Sequence, residues 1–337
     1  MNKMRGNLLD VSNLRVVFYT YRGVIKALNG VELWLNRGEK LGVVGESGCG
    51  KSVTSLAIMR LIEQPGEIID GSIRFEDKEF TTMTQEELNI LRGREIAMIF
   101  QEPVAALNPV MKVGFQIAES ISRNDKTKGK KQVYKEVREM LELVGLDWKR
   151  TINLYPHELS GGMAQRVMIG IALSSRPKLL IADEPTSALD VTIQIQILEL
   201  LEELVKKLEY AAILITHDMG VAAEFCDKIT VMYAGNTVEH SETINIFEHP
   251  YHPYTRGLFK AVPKVGRTDE LETIAGTVPD LVDPPSGCRF HPRCPHMTDV
   301  CREQSPPLRE IEPGHYVACH LYLKEDIIHK GPVPHVQ

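Results

Sequence analysis

Residues 45–52 read G-E-S-G-C-G-K-S, a spacing of glycine, lysine and hydroxyl that suits a polyphosphate. Glycines let the backbone turn so that successive N–H groups wrap an anion, and a following helix adds the positive end of its dipole. In that arrangement Lys51 reaches the β- and γ-phosphates and the Ser52 hydroxyl ligates Mg²⁺. The nucleotide contacts so assigned are Gly45, Ser47, Gly48, Cys49, Gly50, Lys51, Ser52 and Val53. An ordinary strand-to-helix turn is the alternative, and a chain of this length matches the pattern by accident about one time in a hundred. Residues 179–184, L-L-I-A-D-E, carry the second signal. Four apolar residues ending in two carboxylates put Asp183 at a strand tip, able to hold Mg²⁺, and Glu184 on the γ-phosphate side, able to polarise water. Alone, such an ending is a strand entering solvent. Paired with a phosphate loop, it reads as catalytic.

Two further clusters have chemical potential. L-S-G-G-M-A-Q-R at 159–166 opens a helical pattern with Ser160 at the N-cap and Gly161 and Gly162 behind it. That is a second anion-binding turn, or simply a helix cap. Near the C-terminus Cys288, Cys294, Cys301 and Cys319 follow the spacing C-x5-C-x6-C-x17-C. A Zn²⁺ site usually includes a short C-x2-4-C knuckle. The longer loops here favour a 4Fe–4S cluster over Zn²⁺, with free thiols as a third option. Arg289, Arg293 and Arg302 stand close in sequence and could offset the thiolate charge. Cys49 is a variable motif position that only has to be small, and Cys226 reads as a packed core thiol.

The elements that must position these groups are legible as well. K-L-G-V-V-G-E (40–46), K-L-L-I-A-D-E (178–184) and A-A-I-L-I-T-H-D (211–218) have the length and character of strands buried on both faces. Residues 52–62 and 197–208 read as helices, the latter with Ile197, Leu198, Leu201, Leu204, Val205 and Leu208 on one face. This alternation predicts an α/β fold with a parallel sheet. V-T-I-Q-I-Q-I at 191–197 alternates like a strand and leaves the start of that helix open. Residues 103–176 are mostly helical, with 136–146 the clearest amphipathic stretch and Gly145 a helix stop. After about 246 the chain turns proline- and histidine-rich, which predicts a separate small unit with little regular structure.

Composition narrows the class. The 337 residues are 43% hydrophobic and 25% charged, as in an ordinary globular protein with a real core. A net charge of -6 supplies no broad basic face and argues against nucleic acid as a partner. No apolar run approaches the ~20 residues that span a bilayer, and M-N-K-M-R-G-N-L-L-D is no secretory leader. The expected location is the cytoplasm, with membrane association only through a partner.

Taken together, the phosphate loop, L-S-G-G-M (159–163), D-E-P-T-S-A-L-D (183–190), the glutamine of M-I-F-Q-E-P (98–103) and the histidine of I-T-H-D (215–218) closely resemble the ATP-binding-cassette ATPases. The likeness covers residues 7–260. It implies a P-loop NTPase cassette: a RecA-like parallel-sheet core, an N-terminal antiparallel β region and an inserted helical subdomain. It also implies that two cassettes pack head to tail, so that Ser160, Gly161 and Gly162 of one cap the γ-phosphate held by the other. On the same basis Gln101 senses Mg²⁺ and water and links to a membrane subunit. His217 contacts the γ-phosphate and orients Glu184, and Asp190 lies between cassettes. Tyr21, with Tyr19 as second choice, stacks on adenine. Met163 departs from the commonest signature without touching Ser160 or the glycines.

The tail narrows the family. G-C-R-F-H-P-R-C-P (287–295), H-P-Y-T-R-G-L-F-K-A-V-P (252–263) and Y-P-H-E-L-S-G-G-M (155–163) resemble the dipeptide and oligopeptide importer ATPases. That implies a nucleotide-binding domain over 1–260 and a small irregular metal-binding extension over 261–337. It also implies a peripheral place on the cytoplasmic face of the membrane. The partners it implies are a second cassette subunit (a different chain or another copy), two permease subunits and an extracytoplasmic peptide-binding protein. Import of nickel or other small solutes is the alternative within the group. A soluble cassette protein acting on ribosomes or DNA would carry tandem cassettes or a coiled-coil insertion, and this chain has neither. An iron–sulfur regulator with a dead cassette conflicts with intact Lys51, Asp183, Glu184 and His217.

Overall fold

The computed structural model describes residues 7–187, 189–260 and 274–322. The chain divides into two compact units: one holds the described residues up to Thr82 and from Thr216 onward, and the other is Met83–Ile215.

The first unit begins with the hairpin β1 (Leu9–Thr20) and β2 (Gly23–Leu35), closed by a turn at Tyr21 and Arg22. Strand β3 (Lys40–Val44) leads through the glycine loop into the helix Lys51–Ile58. β4 (Gly66–Phe75) then returns antiparallel to β1, with the short β5 (Lys78–Glu79) beside it. The sheet order is β2-β1-β4-β5. Apolar residues alternate inward along β1, where Leu9, Val11, Leu14 and Val16 are buried, as a sheet with one covered face requires. Gly71 is obligatory in this sheet. It sits at φ +100°, and a Cβ there would lie 2.6 Å from the Asn13 carbonyl oxygen.

The second unit carries three parallel strands, β6 (Ile96–Ile99), β7 (Leu179–Asp183) and β8 (Ala211–Thr216), in the order β8-β7-β6. All their residues are buried, which matches the unbroken apolar runs in the sequence. Between β6 and β7 the chain is helical. The helix Val113–Asn124 buries Val113, Ile117 and Ile121, and the helix Lys130–Leu143 buries Val133, Val137 and Leu141, each a stripe at i, i+4, i+8. Gly145 follows the second helix at φ +72°, the left-handed stop that its sequence position predicts. The helix Val191–Leu208 starts at Val191. Asp190 decides the ambiguity at 191–197, because its carboxylate accepts from the Ile193 amide at 3.0 Å and caps the helix one residue earlier.

The chain then returns to the first unit through β9 (Lys228–Tyr233), which pairs parallel to β3, and β10 (Asn236–Glu242), antiparallel to β9. The Thr237 hydroxyl donates to the Glu32 carbonyl and accepts from the Glu32 amide, at 2.8 and 3.1 Å, and so links β10 to β2.

The proline-rich stretch is more ordered than its composition predicts. Helices form at Thr243–Glu248 and Pro253–Lys260, and β11 (Arg309–Glu312) and β12 (His315–Val317) make a hairpin paired onto β10. These residues fall within the first unit; residues 261–273 and 323–337 of the expected extension lie outside the described residues. One wholly buried carboxylate anchors the described part. Glu239 on β10 accepts from the Tyr251 amide at 2.7 Å, the His252 amide at 2.9 Å and His315 Nε2 at 2.7 Å. Burial holds the neighbouring His252 imidazole down to about 4, so this histidine is neutral and accepts from the Tyr254 amide through Nδ1.

Glu239→Ala leaves two buried amides and the His315 imidazole without their acceptor. The expected loss is about 3 kcal/mol of stability, read as a lowered Tm; a melting curve matching the parent's would remove this carboxylate as the anchor.

Candidate nucleotide site

The phosphate loop in the first unit is built by close backbone approach. Gly45 leaves β3 at φ +155°, and a Cβ there would lie 2.2 Å from the Met232 carbonyl oxygen. Gly50 caps the following helix at φ +103°, with no side chain capping it. Between them Ser47 and Gly48 form an exposed crown, while Cys49 is fully buried and its carbonyl accepts from the Gly235 amide at 2.8 Å. Burial pushes the Cys49 thiol up, which suits a packed residue and not a reactive one. Lys51, 4% exposed, lies across the loop and donates to the Gly45 and Glu46 carbonyls at 2.8 and 3.1 Å. Ser52 and Val53 begin the helix, both half-buried.

Two other expected contacts belong to the first unit. Tyr21 stands at the tip of the β1–β2 hairpin, 99% exposed, against 50% for Tyr19. His217 is exposed immediately after β8, and the next residue, Asp218, caps the helix Met219–Phe225 through the Gly220 and Val221 amides.

Two of the expected acidic residues lie in the second unit. Asp183 ends β7 almost fully buried, at 6% exposure. Glu184 follows at φ +43°, a left-handed conformation that costs a non-glycine residue of order 1 kcal/mol and persists where the surroundings demand it. Its amide donates to the Ile215 carbonyl at 3.0 Å, and its Oε2 accepts from Gln101 Nε2 at 3.3 Å. Gln101 and Glu184, 83 positions apart, are therefore joined by one hydrogen bond.

The serine-glycine turn also lies here. Ser160 caps the helix Gly161–Leu173, its Oγ accepting from the Met163 amide at 3.3 Å. The capping reading is thus satisfied, and the hydroxyl proton takes no part in that bond. Gly162 has a packing reason as well, since a Cβ there would approach Ile193 to 2.9 Å. Ser160 and Gly161 are exposed. Asp190, expected between cassettes, is an exposed helix cap in this unit.

At the C-terminal cysteines the structure departs from expectation. Cys288, Cys294, Cys301 and Cys319 form no disulfide. Among the described residues no group of three or more His, Cys, Asp or Glu is arranged to hold a metal ion, so the expected metal centre gains no support here. Burial, with the neighbouring Cys301 and Cys294 thiols adding to it, pushes Cys288 up to about 11; burial likewise raises Cys319 to about 12. Two of the three arginines are committed elsewhere: Arg289 donates to the Lys26 and Ala234 carbonyls, and Arg293 to Glu46 of the phosphate loop. Neither serves as the counter-charge that sequence proximity implied. The Arg293–Glu46 pair spans 247 positions, and no local pattern could have announced it. Cys226 is a buried core thiol, as expected, and burial drives its pKa far up.

Comparison with known proteins shows what this chain is similar to. A family model for ABC transporters matches residues 28–187, and one for the oligopeptide/dipeptide transporter C-terminal region matches residues 238–301. The chain is 47% identical to the oligopeptide transport ATP-binding protein AppD of Bacillus subtilis, over 94% of this chain and 98% of that protein. It is equally 47% identical to OppD of Escherichia coli, covering 94% of each, and to the dipeptide transport ATP-binding protein DppD of Haemophilus influenzae, covering 94% and 96%. Among solved structures it is similar to a dimeric post-hydrolysis state of the ATP-binding cassette MJ0796 bound to ADP and Pi, with a TM-score of 0.64 and 26% identity over 70% of this chain and 98% of that one. It is also similar to cbiO1 of Clostridium perfringens, with a TM-score of 0.61 and 26% identity over 72% and 91% of the two chains.

Gly45→Ala forces the loop off the Met232 carbonyl. ATP affinity should fall by about ten-fold or more while stability drops by only about 1–3 kcal/mol. Titration with a fluorescent ATP analogue beside a thermal melt checks this; undiminished affinity would mean that the loop does not need its present path.

Proposed function

This chain belongs to the ATP-binding-cassette transporter family, among the oligopeptide/dipeptide transport ATPases, and from that membership we propose a residue-level account of how it energises peptide uptake. Its reaction is ATP + H₂O → ADP + phosphate, and it is the ATP-hydrolysing subunit of a peptide importer. The observation that carries the account is that one chain owns two anion-binding turns, the glycine loop at 45–52 and the Ser160-capped helix. One nucleotide per chain needs only the first. The second is explained if each copy, or each of two related chains, completes the other's site.

In this account the loop amides from Gly45 to Val53 hold the phosphates, Lys51 neutralises charge developing on the β–γ bridge, and Tyr21 stacks on adenine. Glu184 accepts a proton from the water that attacks the γ-phosphorus, the β–γ P–O bond breaks, and ADP leaves with the bonding pair. Gln101, bonded to Glu184 at 3.3 Å, orients that carboxylate and water. His217 steadies the γ-phosphate. Ser160, Gly161 and Gly162 cap the γ-phosphate of the partner's ATP, with Asp190 beside them at the interface. Ser52, Asp183 and Gln101 are oxygen donors of the kind Mg²⁺ selects; when bound, Mg²⁺ neutralises phosphate charge.

Residues 1–260 form the nucleotide-binding domain and 261–337 the extension in this reading. The partners are a second cassette subunit, two permeases and an extracytoplasmic peptide-binding protein. Among the described residues no helix is long and apolar enough to cross a membrane, and attachment to the cytoplasmic face runs through the permeases. Support for such a contact comes from apolar side chains just beyond Gln101: Val104, Val110 and Phe115 are 50%, 79% and 62% exposed, which is unusual for large apolar groups without a partner.

The extension is proposed to carry a 4Fe–4S cluster on Cys288, Cys294, Cys301 and Cys319, with Zn²⁺ as the alternative. The support is the number and spacing of the thiols and their mutual electrostatic influence, not an assembled ligand set. Such a cluster would tie the loops of the extension together.

Glu184→Gln should retain ATP binding, slow hydrolysis by at least about 100-fold and accumulate a closed dimer; steady-state turnover near the parent's would rule Glu184 out as the base. Anaerobically purified protein should be brown, with iron and sulfide in proportion to the chain. Colourless protein containing zinc alone would replace the cluster with the alternative.

A further inference from the structure

The glycine loop contains a carboxylate that is electrostatically wrong for its task. Glu46 follows Gly45 directly, so its charge sits within the turn that must receive a polyphosphate. The residue is held at three points. Its amide donates to Tyr254 Oη at 2.9 Å, its carbonyl accepts from Lys51 Nζ at 3.1 Å, and its carboxylate meets Arg293. The Arg293 contact is a two-pronged pair, Nη1 to Oε2 at 3.0 Å and Nη2 to Oε1 at 3.2 Å, the geometry in which a guanidinium binds a carboxylate best.

Arg293 is itself fully used. Nη1 also donates to Tyr233 Oη at 3.4 Å, Nη2 to the Ile274 carbonyl at 3.2 Å, and Nε to the Ala275 carbonyl at 2.9 Å. Its five N–H donors thus meet five acceptors, its side chain is 7% exposed, and the guanidinium lies 5.7 Å from the centre of the Tyr233 ring. A surface pair would be worth little. This one is buried on the arginine side, bidentate and fixed by three further groups, so it holds Glu46 in one place.

We propose that Arg293 is a positioning residue for nucleotide binding: it clamps Glu46, cancels its charge and so fixes the phosphate loop in a form that accepts ATP. The idea rests on the nucleotide reading of the loop and adds to it. The extension contributes to the ATP site through one side chain, which sits next to Cys294 but acts away from it. With the clamp lost, an unpaired carboxylate faces the triphosphate and the loop is free to move.

The test is ATP affinity of the full-length protein, measured with a fluorescent ATP analogue at low and high salt. Arg293→Met should weaken binding about ten-fold at low salt, and less at high salt, because the exposed charge is then screened. Arg293→Lys keeps the charge but not the fork and should lose about three-fold. Adding Glu46→Gln to Arg293→Met removes the charge that the clamp cancels, and should restore affinity to within about three-fold of the parent. A purely structural arginine would not be rescued this way. Parent-like affinity in both single variants, or a double variant no tighter than Arg293→Met, overturns the proposal. Should Arg293→Met fail to fold, Arg293→Gln, neutral but polar, with and without Glu46→Gln makes the same distinction. Loss of binding in Lys51→Ala upholds the site separately, so a negative result at Arg293 counts against the clamp alone.

Discussion

Close approach of the glycine loop to the end of β9 and the turn that follows it is the constraint on which the first unit depends. Gly45 passes so near the Met232 carbonyl that no side chain fits. Parallel pairing of β3 with β9, Val44 opposite Val231, creates that proximity. From the same turn the Gly235 amide reaches the Cys49 carbonyl, the Gly235 carbonyl accepts from Asn29, and the Ala234 carbonyl accepts from Arg289. Loop, N-terminal sheet and C-terminal extension thus meet at one β-turn. A backbone frame of this kind holds loop amides in orientation without using the side chains that a ligand needs.

Charge placement follows the same economy. An acidic chain must present a positive site, and it does so locally. Lys51 and the unblocked helix start supply the positive end, Arg293 occupies the loop's own carboxylate, and the carboxylates of Asp183 and Glu184 stand at the end of β7. Glu184 is held there in a left-handed backbone by the Ile215 carbonyl and the Gln101 amide. Strain at this position is the mark of a side chain whose direction matters more than its comfort.

The extension is fastened by polar groups in a dry interior. Glu239, His315 and the Tyr251 and His252 amides form a set in which the carboxylate has three donors. Buried charge of this kind is costly unless it is fully paired, and once paired it specifies one arrangement. Tyr254 and Phe290 pack on Tyr233 at ring distances of 4.6 and 5.0 Å and continue the same contact into the phosphate-loop side of β9. The described C-terminal residues, up to Tyr322, are therefore part of the first unit's own framework.

Local pattern alone determined much of this protein. Unbroken apolar runs marked β3, β7 and β8, because a strand covered on both faces cannot carry polar residues. The Ser160 cap and the Gly145 stop were legible because each is a backbone requirement satisfied within a few residues, and the phosphate loop and the Asp183–Glu184 pair were legible as short motifs. Tertiary structure decided the rest. Glu239 ordered a proline-rich tail through partners up to 76 positions away. Arg289 and Arg293, adjacent in sequence to the cysteines, were drawn instead to carbonyls and to Glu46, because a guanidinium goes where the fold offers acceptors. Sequence proximity cannot rank such partners; only the packed chain brings them within reach.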